Sequence, residues 1–245
     1  MFVRLAIEIS NPSSWEAGDP LPGLALGDVS ASSSTCTMLG EEAIDPTRPH
    51  DDDLMPALDR LCKRLDVKPS QIESIAVSVG PGGFTATRVA VTTAKCLAAA
   101  VGGGVGASVV PVPSALAAAR RAMDADGTLD SVLVLLAAKG ANVYAQRVTR
   151  AGLNDEGAAV DVAELKLDGV QLLLADRFAQ AAIEPRVKES EERGIRMQRP
   201  VFTPAALLRA SIGMPSVEAT RLLPLYPREP EAVTKWRALK AAGKK

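Results

Sequence analysis

The sequence predicts an α/β protein, and three observations carry the prediction. Short β-branched runs alternate with segments of helical periodicity along most of the 245 residues. Hydrophobic residues make up 47% of the chain but aromatic residues only 3%, so the interior must rely on small side chains and close backbone approach. A glycine-rich corner, "GPGGF" at 80–84, joins one strand-like run to one helix-like segment. The length suits one large domain or two lobes of roughly 100 residues each.

"VRLAIEIS" (3–10) reads as a strand. Residues 11–40 are rich in Gly, Pro and Ser and suit turns, with a further strand in "ASSSTCTML" (31–39). "HDDDLMPALDRLCKRLDV" (50–67) reads as a helix, with Leu54, Leu58, Leu61 and Leu65 on one stripe. Met55 and Cys62 widen that apolar face, and Asp51 to Asp53 suit the positive N-terminal end. "IESIAVSVG" (72–80) is a buried strand, followed by a helix from about Phe84 to Val101 that glycines in 102–106 end. "ASVVPV" (107–112) is another strand, and Ser114 caps the helix "ALAAARRAMDA". "SVLVLLAA" and "NVYAQRVTR" form two strands about the turn "KGAN". "VQLLLADRFAQ" fits helix or strand, "TPAALLRAS" is a short helix opened by Pro204, and a last helix starts near Glu229.

Composition excludes several chemistries. With one histidine, His50, no HExxH or paired-histidine metal site can be built, and no metal or other cofactor is expected. Cys36, Cys62 and Cys96 lie far apart, which suggests neither a disulfide framework nor a thiolate zinc site. The N-terminus runs straight into a strand, and no apolar run reaches membrane-spanning length, so a cytoplasmic protein without membrane contact is expected. Charge is uneven: residues 1–70 carry 6 basic and 12 acidic residues, residues 183–245 carry 13 basic and 7 acidic. A basic C-terminal part can approach RNA or an acidic partner; a solvated surface with a lysine-rich end is the simpler reading.

The corner at Gly80, Gly82 and Gly83, with Thr85 in the first turn, is a candidate anion or nucleotide site, because a helix N-terminus presents unpaired N–H groups. No nucleotide motif is met. The P-loop GK[ST] is replaced by Gly83-Phe84-Thr85, and the third glycine of GxGxxG by Thr85. A tight corner with Thr85 as helix cap is the stronger reading. In the helix that follows, Val89, Ala90, Val91, Ala94, Cys96 and Leu97 spread around the circumference, so cover is expected on more than one side. Another subunit or another helix of the same chain can supply it.

Together these segments resemble the TsaB (YeaZ) family. "SIAVSVGPGGFTATRVAVTTAKCLAAAVG" is similar to its G-P-G-S-F-T-G-x-R segment, and "RLAIEIS", "HDDDLMPALDRLC", "ASVVPVPSALAAA", "VLVLLAAKGANVYAQ" and "PLYPREPEAVTKW" match further family segments in order. The resemblance implies an actin/Hsp70/sugar-kinase-like fold of two related lobes, each a mixed sheet flanked by helices. The N-terminal lobe would span 1–105 and the C-terminal lobe 106–245, with a last helix, about 229–241, able to pack back on the first lobe. It also implies a non-catalytic subunit in the synthesis of N6-threonylcarbamoyladenosine on tRNA. The implied partners are a TsaD-like transferase, a TsaE-like ATPase and a second copy when the chain is alone, with tRNA engaged only through the complex. The implied interface lies on helices 52–65 and 84–101, through Leu54, Met55, Leu58, Leu61, Cys62, Arg88, Val89, Val91, Thr92, Lys95, Cys96 and Ala99, and no catalytic residue is expected. Glu8-Ile9 stands where the family has D-T, Gly83 replaces the loop serine, Ala86 the following glycine, and Ala137-Ala138-Lys139 the D-A-R of the second lobe. The missing carboxylate at Ala137 weighs against the alternative, a small nucleotide-dependent phosphotransferase of the same superfold, and a single histidine leaves a hydrolase little to work with.

Overall fold

Alternating side-chain size along the first strand sets the layers of the molecule. The computed structural model describes residues 2–29, 35–45, 50–101, 106–138, 142–227 and 231–242. In β1 (Val3–Glu8), Leu5 and Ile7 face one core while Ala6 faces another. Ala6 is in register with Ala25 of β2 (Gly23–Asp28) and with Ala76 of β4 (Ile72–Gly80), so three alanines line up across the sheet. A row without bulk lets helices approach closely, as the low aromatic content requires.

The first sheet has the order β3-β2-β1-β4-β5, with β3 at Thr37–Ala43 and β5 at Ser108–Pro113. Strands β1, β4 and β5 run parallel, and β2 is antiparallel to both β1 and β3. The second sheet, β11-β10-β6-β7-β8, repeats the pattern: β6 (Ser131–Ala137), β10 (Leu172–Ala175) and β11 (Arg196–Gln198) are parallel. Antiparallel β7 (Asn142–Thr149) follows β6, and β8 (Gly152–Leu153) and β9 (Ala158–Asp161) pair with it. Parallel neighbours need crossovers. Helices α1 (His50–Arg64), α2 (Phe84–Ala100) and α4 (Arg177–Glu192) lie in three of them, and the crossover from β6 to β10 runs through the antiparallel strands 142–161 and a short turn at Val162–Glu164.

Helices α1 and α2 cover the outer face of the first sheet, around Leu5, Ile7, Leu61, Val91 and Leu97. Helices α3 (Ser114–Ala125) and α5 (Pro204–Ala210) fill the space between the two sheets with Ala115, Ala119, Leu207 and Leu208. Helix α4 covers the far face of the second sheet through Ala179 and Ile183. This is the predicted α/β class with two mixed sheets flanked by helices.

Several local expectations change. The lobe boundary placed at residue 105 falls inside the first sheet, whose last strand ends at Pro113. Strand β2 lies in a stretch read as turns, because "GLALGD" has too few β-branched residues to announce itself. Helix α3 is entered from Pro113, so Ser114 is its first residue and caps nothing. "VQLLLADRFAQ" resolves into both alternatives, β10 and then the start of α4. Return of the chain to the first lobe is made by residues 217–226: Val217 bridges to Val109, Leu222 is buried in the outer core, and Leu225 N donates to Val79 O at 2.7 Å. The last helix, α6 (Glu231–Ala242), keeps Trp236 and Leu239 exposed. Residues 31–34, 46–49, 102–105, 139–141 and 228–230, on which parts of the sequence reading fell, lie outside the described residues.

Candidate functional site

The glycine corner is shaped by the end of β1. Gly80 adopts φ +99°, a backbone conformation open mainly to glycine, as the chain leaves β4. Gly83 N donates to Ser10 O at 2.8 Å, and a Cβ built on Gly82 would stand 2.3 Å from that same oxygen. These glycines therefore let two backbone segments touch. Gly83, not Thr85, is the N-cap of α2, and no side chain caps the helix. Thr85 sits exposed in the first turn.

Beside the corner lies a buried polar knot. Glu8, Ser10, Ser78 and Ser114 are each 0% exposed. Glu8 Oε1 accepts from Ser10 N at 3.0 Å and from Ser10 Oγ at 2.7 Å. Ser10 Oγ lies 2.8 Å from Ser78 Oγ and 3.1 Å from Ser114 Oγ, and those two are 2.9 Å apart. The ends of β1 and β4 and the start of α3 are thereby tied together. Glu8 Oε2 has no hydrogen-bond partner. Burial pushes the Glu8 carboxyl above its usual range, against the opposing effect of its bonds from Ser10.

The loop between β1 and β2 closes over this knot. Trp15 Nε1 donates to Asp19 O at 3.2 Å, and Arg199, from beyond β11, pairs with Asp19 at 3.3 Å and with Glu16 at 3.2 Å. Glu8, Asn11, Trp15, Pro20, Pro200 and Phe202 line what space remains, about 10 Å³. That holds about one water, whereas a nucleotide-sized ligand needs about 300 Å³ or more.

In the second lobe Ala137 N donates to Asp176 Oδ2 at 2.7 Å. A carboxylate is therefore present near the strand end where Ala137 lacks one. Asp176 Oδ1 also accepts from Phe178 N at 3.0 Å and Ala179 N at 2.7 Å, so the group is consumed in capping α4. Among the described residues, no group of three or more His, Cys, Asp or Glu is placed to hold a metal. No helix among them is long and apolar enough to cross a membrane.

The twelve interface candidates divide by burial. Leu54, Leu58, Leu61, Cys62 and Val91 belong to the chain's own core. Val89 and Lys95 are half-buried, and Met55, Arg88, Thr92, Cys96 and Ala99 are exposed. Helix α2 is thus covered on one side by its own sheet, through Ala86, Ala90, Val91, Ala94 and Ala98, while the opposite side remains open. Beside this open face, Met55, Leu58, Cys62, Ile72, Leu97 and Val101 line an apolar groove of about 570 Å³ between α1 and α2. Glu42 of β3 pins the outer side of α1 through Arg60, at 2.8 Å, and through Arg64.

Sequence reasoning overlooked Ser10, Ser78, Asp176 and Arg199. The two serines carried a signal, since each interrupts an apolar run at a strand end: "IS" and "VSVG". Only the fold brings them together.

A family model described as TsaD, tRNA N6-adenosine threonylcarbamoyltransferase, matches residues 39–212. Among solved structures, a Pseudomonas aeruginosa protein with similarity to peptidase YeaZ superposes with a TM-score of 0.70 at 21% identity, over 93% of this chain and 100% of that one. YeaZ from Pseudomonas aeruginosa gives a TM-score of 0.70 at 20% identity, over 92% of this chain and 100% of its own. No curated protein gives a significant match. The shared fold is the actin/Hsp70/sugar-kinase-like arrangement expected of the sequence.

Proposed function

The chain belongs to the TsaD, tRNA N6-adenosine threonylcarbamoyltransferase, family, and from that premise we propose that it is a cytoplasmic, non-catalytic subunit of TsaB type. It binds and supports a TsaD-type transferase through the open face of α2 and the groove beside α1. A TsaE-type ATPase joins the assembly, and a second copy takes the partner's place when the chain is alone.

One contrast carries this reading. The space beside the glycine corner and Glu8 is filled down to about 10 Å³ around an unpaired Glu8 oxygen, while α2 leaves Arg88, Thr92, Cys96 and Ala99 exposed. Small side chains on that face permit the close helix–helix approach that a four-helix contact between related subunits needs. The full-length fold likeness to YeaZ supports the same branch of the family.

Co-purification with the host's TsaD-type protein tests the proposal, together with measurement of threonylcarbamoyladenosine in a strain lacking the chain. A stable complex and loss of the modified base are expected. Separate elution with the modification intact would overturn the assignment.

A further inference from the structure

Helix α2 contains no acidic residue. Its sequence, "FTATRVAVTTAKCLAAA", carries two charges, Arg88 and Lys95, and both are positive. At 3.6 residues per turn, Phe84, Lys95, Arg88, Ala99, Thr92, Thr85 and Cys96 follow one another around the helix in that order. All of them lie on the side turned away from the sheet, whereas Ala86, Ala90, Ala94, Ala98 and Val91 form the buried arc opposite. The two cations therefore stand side by side within the open face.

The described residues supply them with no counter-charge. Arg88 Cζ stands 4.7 Å from the Phe84 centroid, and Phe84 stacks on Tyr226 with centroids 5.5 Å apart. Arg88 is thus held by a ring and not by a carboxylate. Neither Arg88 nor Lys95 forms a salt bridge among the described residues. On neighbouring α1 the acids are already engaged, Asp53 with Arg60 at 3.1 Å and Asp59 with Lys63 at 2.7 Å. Along the groove, Asp59 and Asp66 are matched in number by Lys63 and Lys68. The open face of α2 and the groove together keep the two positive charges of the helix.

That balance separates two occupants. In a symmetric pair the same patch meets itself, so α2 packed on α2 sets cations against cations with no acid on either helix between them. Like charges brought together at an interface cost free energy, whereas Asp or Glu on a facing helix would turn the same charges into attraction. Phe84, 61% exposed, adds an apolar ring at the end of the stripe.

We propose that the open face of α2 selects its partner by charge. It takes a transferase subunit whose facing helix is acidic, and Arg88 and Lys95 keep a second copy to the weaker association. The inference rests on the scaffold reading and names the chemistry of that same surface.

Salt distinguishes the two contacts without any substitution, at about 50 mM and about 500 mM. Sedimentation of the full chain alone should show self-association strengthening as salt rises, while titration into the transferase subunit should show affinity falling. Arg88→Gln combined with Lys95→Gln is expected to weaken transferase binding by about tenfold and to tighten self-association by a similar factor. The same double variant should lose most of the salt dependence of both. Thermal melts of these samples check that it is folded; if it is not, the two wild-type salt dependences decide. A wild-type complex indifferent to salt and to both substitutions would overturn the charge inference and leave the scaffold reading standing. So would self-association that weakens as salt rises. No transferase complex at either salt would overturn the scaffold reading and this inference with it.

Discussion

Gly82 stands against Ser10 so closely that a single added carbon would lie 2.3 Å from the Ser10 carbonyl oxygen. That contact joins the end of β1 to the corner before α2, and the atom in the way belongs to the backbone, which cannot swing aside as a side chain would. Gly82→Ala should therefore destabilise the protein by about 1–3 kcal/mol in urea unfolding, the usual range for overpacking. Gly127, which has nothing within 4 Å of its would-be Cβ, is the control, and Gly127→Ala should be close to neutral. Equal midpoints for the two variants would remove the corner from the account of the fold.

Glu8 makes stability depend on pH. Its carboxyl is held above the usual range by burial, so the folded state prefers the neutral form. The stability associated with that form is fully present below the unfolded value, about 4.3, and is lost as pH rises through the raised folded value. Glu8→Gln cannot ionise, so its advantage over wild type should be absent at acid pH and grow across that window. Thermal melts from about pH 4 upward should show the two curves diverging, by about 3 °C for each kcal/mol in a chain of this size. Parallel curves would place the Glu8 charge somewhere better solvated than the structure does.

Asp176 should behave as a structural carboxylate. Asp176→Ala removes the acceptor for Phe178 N, Ala179 N and Ala137 N together, an expected loss of about 2 kcal/mol, the upper end for a helix cap. Asp176→Asn keeps one acceptor oxygen and should lose less. Chemical denaturation ranks the pair, and a reversed ranking would argue for a role of the charge other than capping.

Charge on α2 should act according to which side of the helix receives it. Val91 is 3% exposed, so Val91→Glu strands a carboxylate in the core and should unfold the first lobe before it reports on any partner. Cys96→Glu and Ala99→Glu fall on exposed positions and should leave the melting temperature within about 2 °C of wild type. If the open face is the interface, these two variants should abolish co-elution with the transferase subunit. Normal co-elution with normal melting would move the contact elsewhere.

The plug over Glu8 should keep nucleotide out. Calorimetry with ATP and Mg²⁺ is expected to show no heat of binding at micromolar protein. Micromolar affinity would revive the phosphotransferase reading and require the Trp15–Arg199 closure to open.

Much of the chain was legible because its signals are local. The stripe Leu54, Leu58 and Leu61, the buried run at 72–80 and the glycines at 80–83 announce α1, β4 and the corner through periodicity and backbone freedom alone. Strand β2 was not legible, since "GLALGD" is a strand by virtue of pairing with β1 and β3 rather than by propensity. Helix α2 showed both sides of the problem. Its apolar residues implied more than one cover, but a sequence cannot say that Val91 is turned into the core while Cys96 is left outside.

By itself, then, the sequence determined the α/β class, the order of most elements and the family resemblance, because these follow from patterns along the chain. Tertiary structure alone decided what sits beside what. Residues 8, 10, 78 and 114 become one knot, Asp176 reaches Ala137 across 39 positions, and Arg199 closes a loop 180 positions away. Pairings at such separations are selected by the packing of whole sheets and helices, whose free energy is shared over many residues and written in no short stretch of them.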